Sequence, residues 1–316
     1  MNNPFGTGFA LEDPLLESEP GAPPFHVRRT RSRLIVHGGL IVLAFLTTTI
    51  LSSEFLSGGS GWLDSSRFAE TGFWSRGLLF SIPFFAILGT HELGHYRMAR
   101  RHGLEASLPL FIPLPIGIGT AGAFIRLRTP FRNRRELFDV GFAGPLAGFA
   151  VALPVLVVGL ARSRPLDSVG PDGTTVFGPT LATAALEAIL PNLSGAEVVD
   201  YHPMAWAGWF GLFLTALNLL PMGQFDGGHI LYAISPRLHR RLALPFAAFL
   251  VLLAVATRQP IWALWGILGL TLLRRHPDLA GAEPDLGPVR RRLALLALVI
   301  FVLSFTPVPL LEVTSR

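Results

Sequence analysis

The residues best equipped for chemistry form one short run, Thr90-His91-Glu92-Leu93-Gly94-His95, in which two histidines frame a glutamate at HExxH spacing. On a helix, positions i and i+4 share a face, so His91 and His95 can offer both imidazoles to one divalent cation. Glu92 stands beside them, placed to take a proton from a water at the metal rather than to ligate. The run closes an apolar stretch, where each ionisable residue costs roughly 2.5–3.5 kcal/mol if charged and unpaired. That cost favours a working site over a chance match at a polar helix end. The chain has no cysteine, which excludes thiolate ligands and disulfides and leaves His, Asp or Glu to hold any metal. A catalytic zinc takes three protein ligands and keeps one position open, so a third acid or histidine is required at similar depth.

A second run supplies it: Asn218-Leu219-Leu220-Pro221-Met222-Gly223-Gln224-Phe225-Asp226-Gly227-Gly228-His229. At 1.5 Å per residue, His91 lies about 22 Å along its helix from Arg76, and Ala205 to Leu220 covers about 24 Å in the same direction. Asp226 therefore reaches the depth of the histidines and is the favoured third ligand. Pro221 breaks the helix just before it, and Gly227 and Gly228 let backbone approach a site closely. His229 is read either as a residue that orients Asp226 or as a plain helix-start residue.

These residues must be positioned by membrane helices. Of 316 residues, 50% are hydrophobic and only 15% charged, with a mean hydropathy of +0.49, against roughly 25% charge in soluble domains. The apolar residues gather in long blocks, which predicts an all-α polytopic membrane protein of about six or seven transmembrane helices. Expected spans are 34–56, 77–98, 140–160, 205–220, 242–257, 261–273 and 293–311, of which the fifth and sixth are short against the roughly 20 residues a crossing needs. Residues 1–33 read as a disordered cytoplasmic tail carrying Glu12, Asp13, Glu17 and Glu19. A single transmembrane domain follows over 34–311, with its core at about 77–234, and 312–316 close the chain. All 26 basic residues are arginine. If every span crosses and the N-terminus is cytoplasmic, 20 arginines fall on the cytoplasmic side and 6 outside, as the positive-inside rule requires. The formal charge of +5 is thereby a topology signal, and nucleic-acid binding is excluded as its explanation.

The segment 108–128, LPLFIPLPIGIGTAGAFIRLR, holds too many prolines and glycines for a spanning helix. Irregular backbone at membrane depth survives only where protein or a water cavity satisfies it, so a re-entrant loop is expected, ending in a strand near 123–128. Its exposed edge can pair with an unwound peptide by strand addition, which makes Gly119, Gly122 and Phe124 candidate substrate contacts. Gly141, Gly144 and Gly148 are spaced for close helix packing. Trp206, Trp209, Trp262 and Trp265 read as interfacial anchors, His37 as a packed core residue and His202 as an outer-surface residue.

HELGH on one membrane helix and NLLPMGQFDGG on a later, like-oriented one resemble the site-2 protease family of intramembrane zinc metalloproteases over about 78–234. The segment 108–128 and Tyr201-His202-Pro203 resemble its bacterial and chloroplast branch, without PDZ or cystathionine-synthase-like modules. Phe225 stands where that family more often has Leu. The resemblance implies one Zn²⁺ held by His91, His95 and Asp226, with Glu92 as general base. It further implies that Asn218 and Pro221 shape the substrate channel or assist transition-state stabilisation. The expected reaction is hydrolysis of peptide bonds in or near the transmembrane segment of a membrane-protein substrate. The expected setting is a bacterial inner membrane, with the site toward the cytoplasm and lipid around the chain. Two other readings stand beside it: a membrane zinc protease whose third ligand is a glutamate, Glu136 being the nearest, and a non-proteolytic transporter or channel.

Overall fold

The computed structural model describes residues 26–58, 65–166, 174–196, 198–271, 279 and 286–313. The helices are α1 (His26–Leu56), α2 (Phe73–Arg101), α3 (Arg134–Arg162), α4 (Leu181–Ile189), α5 (Pro203–Asn218), α6 (Asp226–Ile234), α7 (Pro236–Thr257), α8 (Pro260–Thr271) and α9 (Gly287–Ser304). Four of them are long and apolar enough to cross a membrane: α1 from Ile35, α2, α3 and α7. The chain is an integral membrane protein. Most of the tail expected over 1–33 lies outside the described residues, and α1 already begins at His26.

Several expectations on the elements need correction. The fifth span is not short: α7 starts at Pro236 and runs 22 residues, because Ser235 caps it by accepting from the Leu238 amide. The sixth is only 12 residues, α8. The last helix stops at Ser304 rather than near 311. Beyond it β6 (Leu310–Val313) pairs antiparallel with β4 (Thr174–Phe177). The fold is thus mainly helical rather than purely so, with three two-stranded ladders among the described residues. A third ladder partner pair, β3 (Arg164–Pro165) and β5 (Val199–Asp200), closes the segment between α3 and α5.

The segment 108–128 folds as a hairpin, β1 (Leu110–Pro113) against β2 (Thr120–Phe124). The strand therefore lies a few residues before the expected 123–128, where only an isolated bridge links Leu127 to Ala106. The hairpin leans on α1: the Thr47 hydroxyl donates to the Gly119 carbonyl at 2.6 Å, and His37 Nδ1 lies 3.3 Å from the Pro109 carbonyl. Half-buried His37 thus tethers the hairpin.

The tryptophans are not interfacial anchors throughout. Trp209 and Trp262 are fully buried and Trp206 nearly so, in an aromatic core where Trp209 stacks between Phe177 and Phe213. Their indole N–H groups are satisfied by backbone: Trp209 donates to Gly178 and Trp262 to Pro307. Burying an aromatic of this size is favourable once its polar handle is paired, and the segments just before α4 and just after α9 provide those carbonyls. At the opposite end, Asp139 on α3 accepts two bonds from Arg290 of α9, at 2.8 and 2.7 Å, and one from His102 after α2. Three helices are tied there.

Candidate metal centre

α2 and α3 lie in close contact, and their shared face carries His91, Glu92 and His95, only 6–7% exposed. The imidazoles fit because α3 presents glycine beneath each ring. A Cβ on Gly144 would lie 2.0 Å from His95 Nε2, and one on Gly148 would lie 3.0 Å from His91 Nδ1. The small-residue spacing read as helix packing therefore has a second use, as a cradle for two histidines. His95 Nδ1 is 2.8 Å from the Val140 carbonyl. A carbonyl only accepts, so Nδ1 carries the proton and the Nε2 lone pair faces the site.

The other half of the site comes from the α5–α6 junction. α5 ends at Asn218, Pro221 stops it, and α6 begins at Asp226. Gly227 and Gly228 pack their backbone against the turn between the helices. A Cβ on Gly227 would lie 2.0 Å from the Leu219 carbonyl, and one on Gly228 would lie 2.4 Å from that of Gly223. Their close approach is thus to this turn and not to the cavity, which neither they nor Pro221 line. The turn is pinned from α7 by buried His239, whose Nε2 donates to the Gly223 carbonyl at 3.0 Å. Nothing in the sequence runs marked His239 for that task.

These elements bring His91, His95 and Asp226 together. His91 Nε2 and His95 Nε2 are 3.0 Å apart, and Asp226 Oδ2 lies 3.3 and 3.2 Å from them. A tetrahedral zinc with bonds of about 2.0–2.1 Å requires donors about 3.3 Å apart. The three atoms thus form one face of such a tetrahedron. Two imidazole nitrogens and a carboxylate oxygen at that spacing fit Zn²⁺. Glu92 offers a carboxylate oxygen within 4.8 Å of the imidazole nitrogens, and Asn218 Nδ2 lies 3.2 Å from His91 Nε2.

A cavity of about 270 Å³ opens over this cluster, lined by His91, Glu92, His95, Asn218 and Asp226 on one side and by Ala123, Phe124, Ile125 and Leu127 on another. His229 also lines it, its ring edge-on to Phe131 and its Cβ against Gly141. Of the residues expected on the substrate strand, Phe124 lines the cavity, whereas Gly119 packs on the α1 backbone at Thr47 and Gly122 borders open space. Glu136 is elsewhere. It belongs to the N-terminal cap of α3, accepting from Arg132 and Asn133. His202, expected on the outer surface, is a half-buried N-cap that accepts from the Met204 amide.

Two imidazoles and a carboxylate arranged around a metal position, with a second carboxylate beside them, the histidines and Glu92 on the membrane helix α2 and Asp226 at the start of the short α6, define a zinc metallopeptidase class of site. The model of peptidase family M50 matches residues 79–257. The chain belongs to this family, the site-2 proteases. It is 30% identical over 68% of its length to the probable zinc metalloprotease EGY2, chloroplastic, of Arabidopsis thaliana, covering 39% of that protein. To the probable zinc metalloprotease EGY1, chloroplastic, of the same plant it is 30% identical over 70% of its length, covering 41%. To EGY2 of Oryza sativa subsp. indica it is 34% identical over 47% of its length. The chain spans about two-fifths of the length of the first two of these relatives.

Proposed function

We propose that this chain is an intramembrane zinc endopeptidase that hydrolyses peptide bonds in or near the transmembrane segment of membrane-protein substrates. The observation that carries the reading is the triangle of His91, His95 and Asp226 beside Glu92, placed where two membrane helices meet. When bound there, Zn²⁺ supplies Lewis-acid polarisation of the scissile carbonyl and brings the pKa of water to about 7. His91, His95 and Asp226 hold it, the Val140 carbonyl fixes the tautomer of His95, and the glycine face of α3 fixes both rings. Glu92 takes the proton of the attacking water and returns it to the leaving nitrogen. The Asn218 amide donates to the oxygen on which negative charge develops.

A helical substrate hides its carbonyls, so it must unwind before reaching Glu92. The hairpin offers the replacement partner. Ser107 donates to the Arg126 carbonyl and the Arg128 amide donates to Glu105, so by antiparallel alternation the amide and carbonyl of Leu127 point to the opposite edge. That edge borders the cavity, where an extended peptide can add as a strand. In this reading 108–128 re-enters the membrane, α5, α8 and α9 complete the bundle, and the site lies toward the cytoplasm of a bacterial inner membrane, on the arginine-rich side.

The test is purified full-length protein in phospholipid vesicles with a single-span substrate carrying a helix-breaking centre. Cleavage within the span, abolished by chelator and restored by zinc, is the expected result. Cleavage only in a soluble segment would remove the intramembrane reading, and ion flux without any cleavage would favour a transporter.

A further inference from the structure

Beyond the catalytic cluster, the strand that borders the cavity carries two arginines the chemistry does not use. Along 123–128, Ala123, Phe124, Ile125 and Leu127 line the cavity, while Arg126 and Arg128, on either side of Leu127, do not line it and are exposed. Among the described residues neither side chain is in an ion pair. The nearest acid on the paired segment, Glu105, meets Arg128 through its backbone carbonyl, not its carboxylate. Both arginines thus flank Leu127, the bridge residue whose outward amide and carbonyl form the docking edge for peptide in the reading above. The spacing of two places them opposite alternate residues of any strand added there.

The geometry points to Arg126 and Arg128 as specificity residues that select substrates with acidic side chains at alternating positions on the cytoplasmic side of the scissile bond. The inference rests on the strand-addition reading of the site and names the substrate class for it. Topology alone asks only for positive charge somewhere on this side. It does not ask for two arginines in strand register beside the cavity, on the segment that carries Leu127. It also runs against the usual basic flank of a membrane span, so it separates a minority of substrates from the rest. Anionic lipid is the competing partner for the same charges, and the experiment distinguishes it.

Three single-span peptides are compared, identical except for Glu-x-Glu, Ser-x-Ser or Lys-x-Lys on the cytoplasmic side of the cut, each in both registers. Wild-type zinc-loaded protein in phosphatidylcholine vesicles is expected to cleave the Glu peptide about two- to tenfold faster than the Lys peptide in one register, from cross-strand charge pairing. The preference shrinks in high salt and reverses in the double variant Arg126→Glu, Arg128→Glu. Equal cleavage of all three peptides overturns the inference while leaving the peptidase reading intact. An effect of the double variant that is the same for all three peptides and appears only in vesicles with anionic phospholipid assigns the arginines to lipid and also overturns it. Binding of the same peptides to the Glu92→Gln protein gives a readout independent of turnover. The same order there, without cleavage by wild type, would keep the charge selection and sink the hydrolytic reading.

Discussion

Replacing Gly144 with alanine tests the cradle under the histidines. The added methyl carbon would sit 2.0 Å from His95 Nε2, 2.4 Å from its Cε1 and 2.5 Å from its Cδ2, against 3.4–4 Å for ordinary contact. The methyl is fixed to the backbone of α3, so the ring must yield. It must retreat by about 1 Å or more, which takes Nε2 out of reach of a zinc bond of about 2.0–2.1 Å and breaks the bond to Val140. Disturbing the support of a ligand typically costs 10–100-fold in metal affinity, or about 1.4–2.8 kcal/mol. Gly144→Ala reaches the ligand itself, so the upper end of that range is expected. Gly148→Ala is milder, since its Cβ would meet His91 Nδ1 at 3.0 Å and Cβ at 3.2 Å, and Gly89→Ala is a control with nothing within 4 Å. Competition with a chromophoric chelator, on the fraction that elutes as folded protein, gives the three affinities. Gly144→Ala binding zinc as tightly as Gly89→Ala would refute the cradle.

Other predictions follow from the same geometry. Asp226→Ala should lower zinc content in purified protein, whereas Glu136→Ala should keep the metal and weaken the start of α3 by about 1 kcal/mol; unchanged zinc in the Asp226 variant would remove it from the ligand set. Asn218→Ala should leave zinc bound and lower kcat by about 10²–10³, and a change confined to KM would deny it the transition-state role. Glu187, outside the spans, has its carboxyl pushed up by burial against the opposing pull of the Tyr201 hydroxyl bond. Its contribution to holding α4 against Tyr201 is present at acid pH and lost as pH rises through the raised value. Hydrogen-exchange protection factors over 174–205, corrected for the intrinsic rate at each pH, should therefore fall from pH 4 to pH 8 in wild type, less so in Glu187→Gln.

That His91, His95 and Asp226 come together is legible in the sequence because their spacing is a backbone property: i and i+4 on α2, and an acid after a proline-ended helix at matching depth. The cradle was less legible. GxxxG spacing says that something packs closely on α3, but only the three-dimensional pairing of α2 with α3 decides that Gly144 and Gly148 receive imidazoles rather than backbone. The same limit holds for His239, which acts on Gly223 from another helix. Trp209 and Trp262 misled because a tryptophan near a span end reads as interfacial until the carbonyls of Gly178 and Pro307, distant in sequence, come to pair it. Helix lengths slipped where polar residues continue a helix past its apolar block, as Arg237, Arg240 and Arg241 do at the start of α7. Strand β2 lies earlier than the expected 123–128 because the ladder forms where Gly119 and Thr47 dock the hairpin on α1.

The central claim, hydrolysis driven from Glu92 at a zinc centre built by His91, His95 and Asp226, is tested most directly by measuring zinc content and cleavage of a single-span substrate in the same vesicle preparations of wild type and Glu92→Gln. Glu92 is the proton carrier and not a ligand in this account, so both proteins should hold one zinc per chain and only wild type should cut, with a loss of about 10²–10⁴ in rate for the variant. Cleavage by Glu92→Gln at the wild-type rate would contradict it.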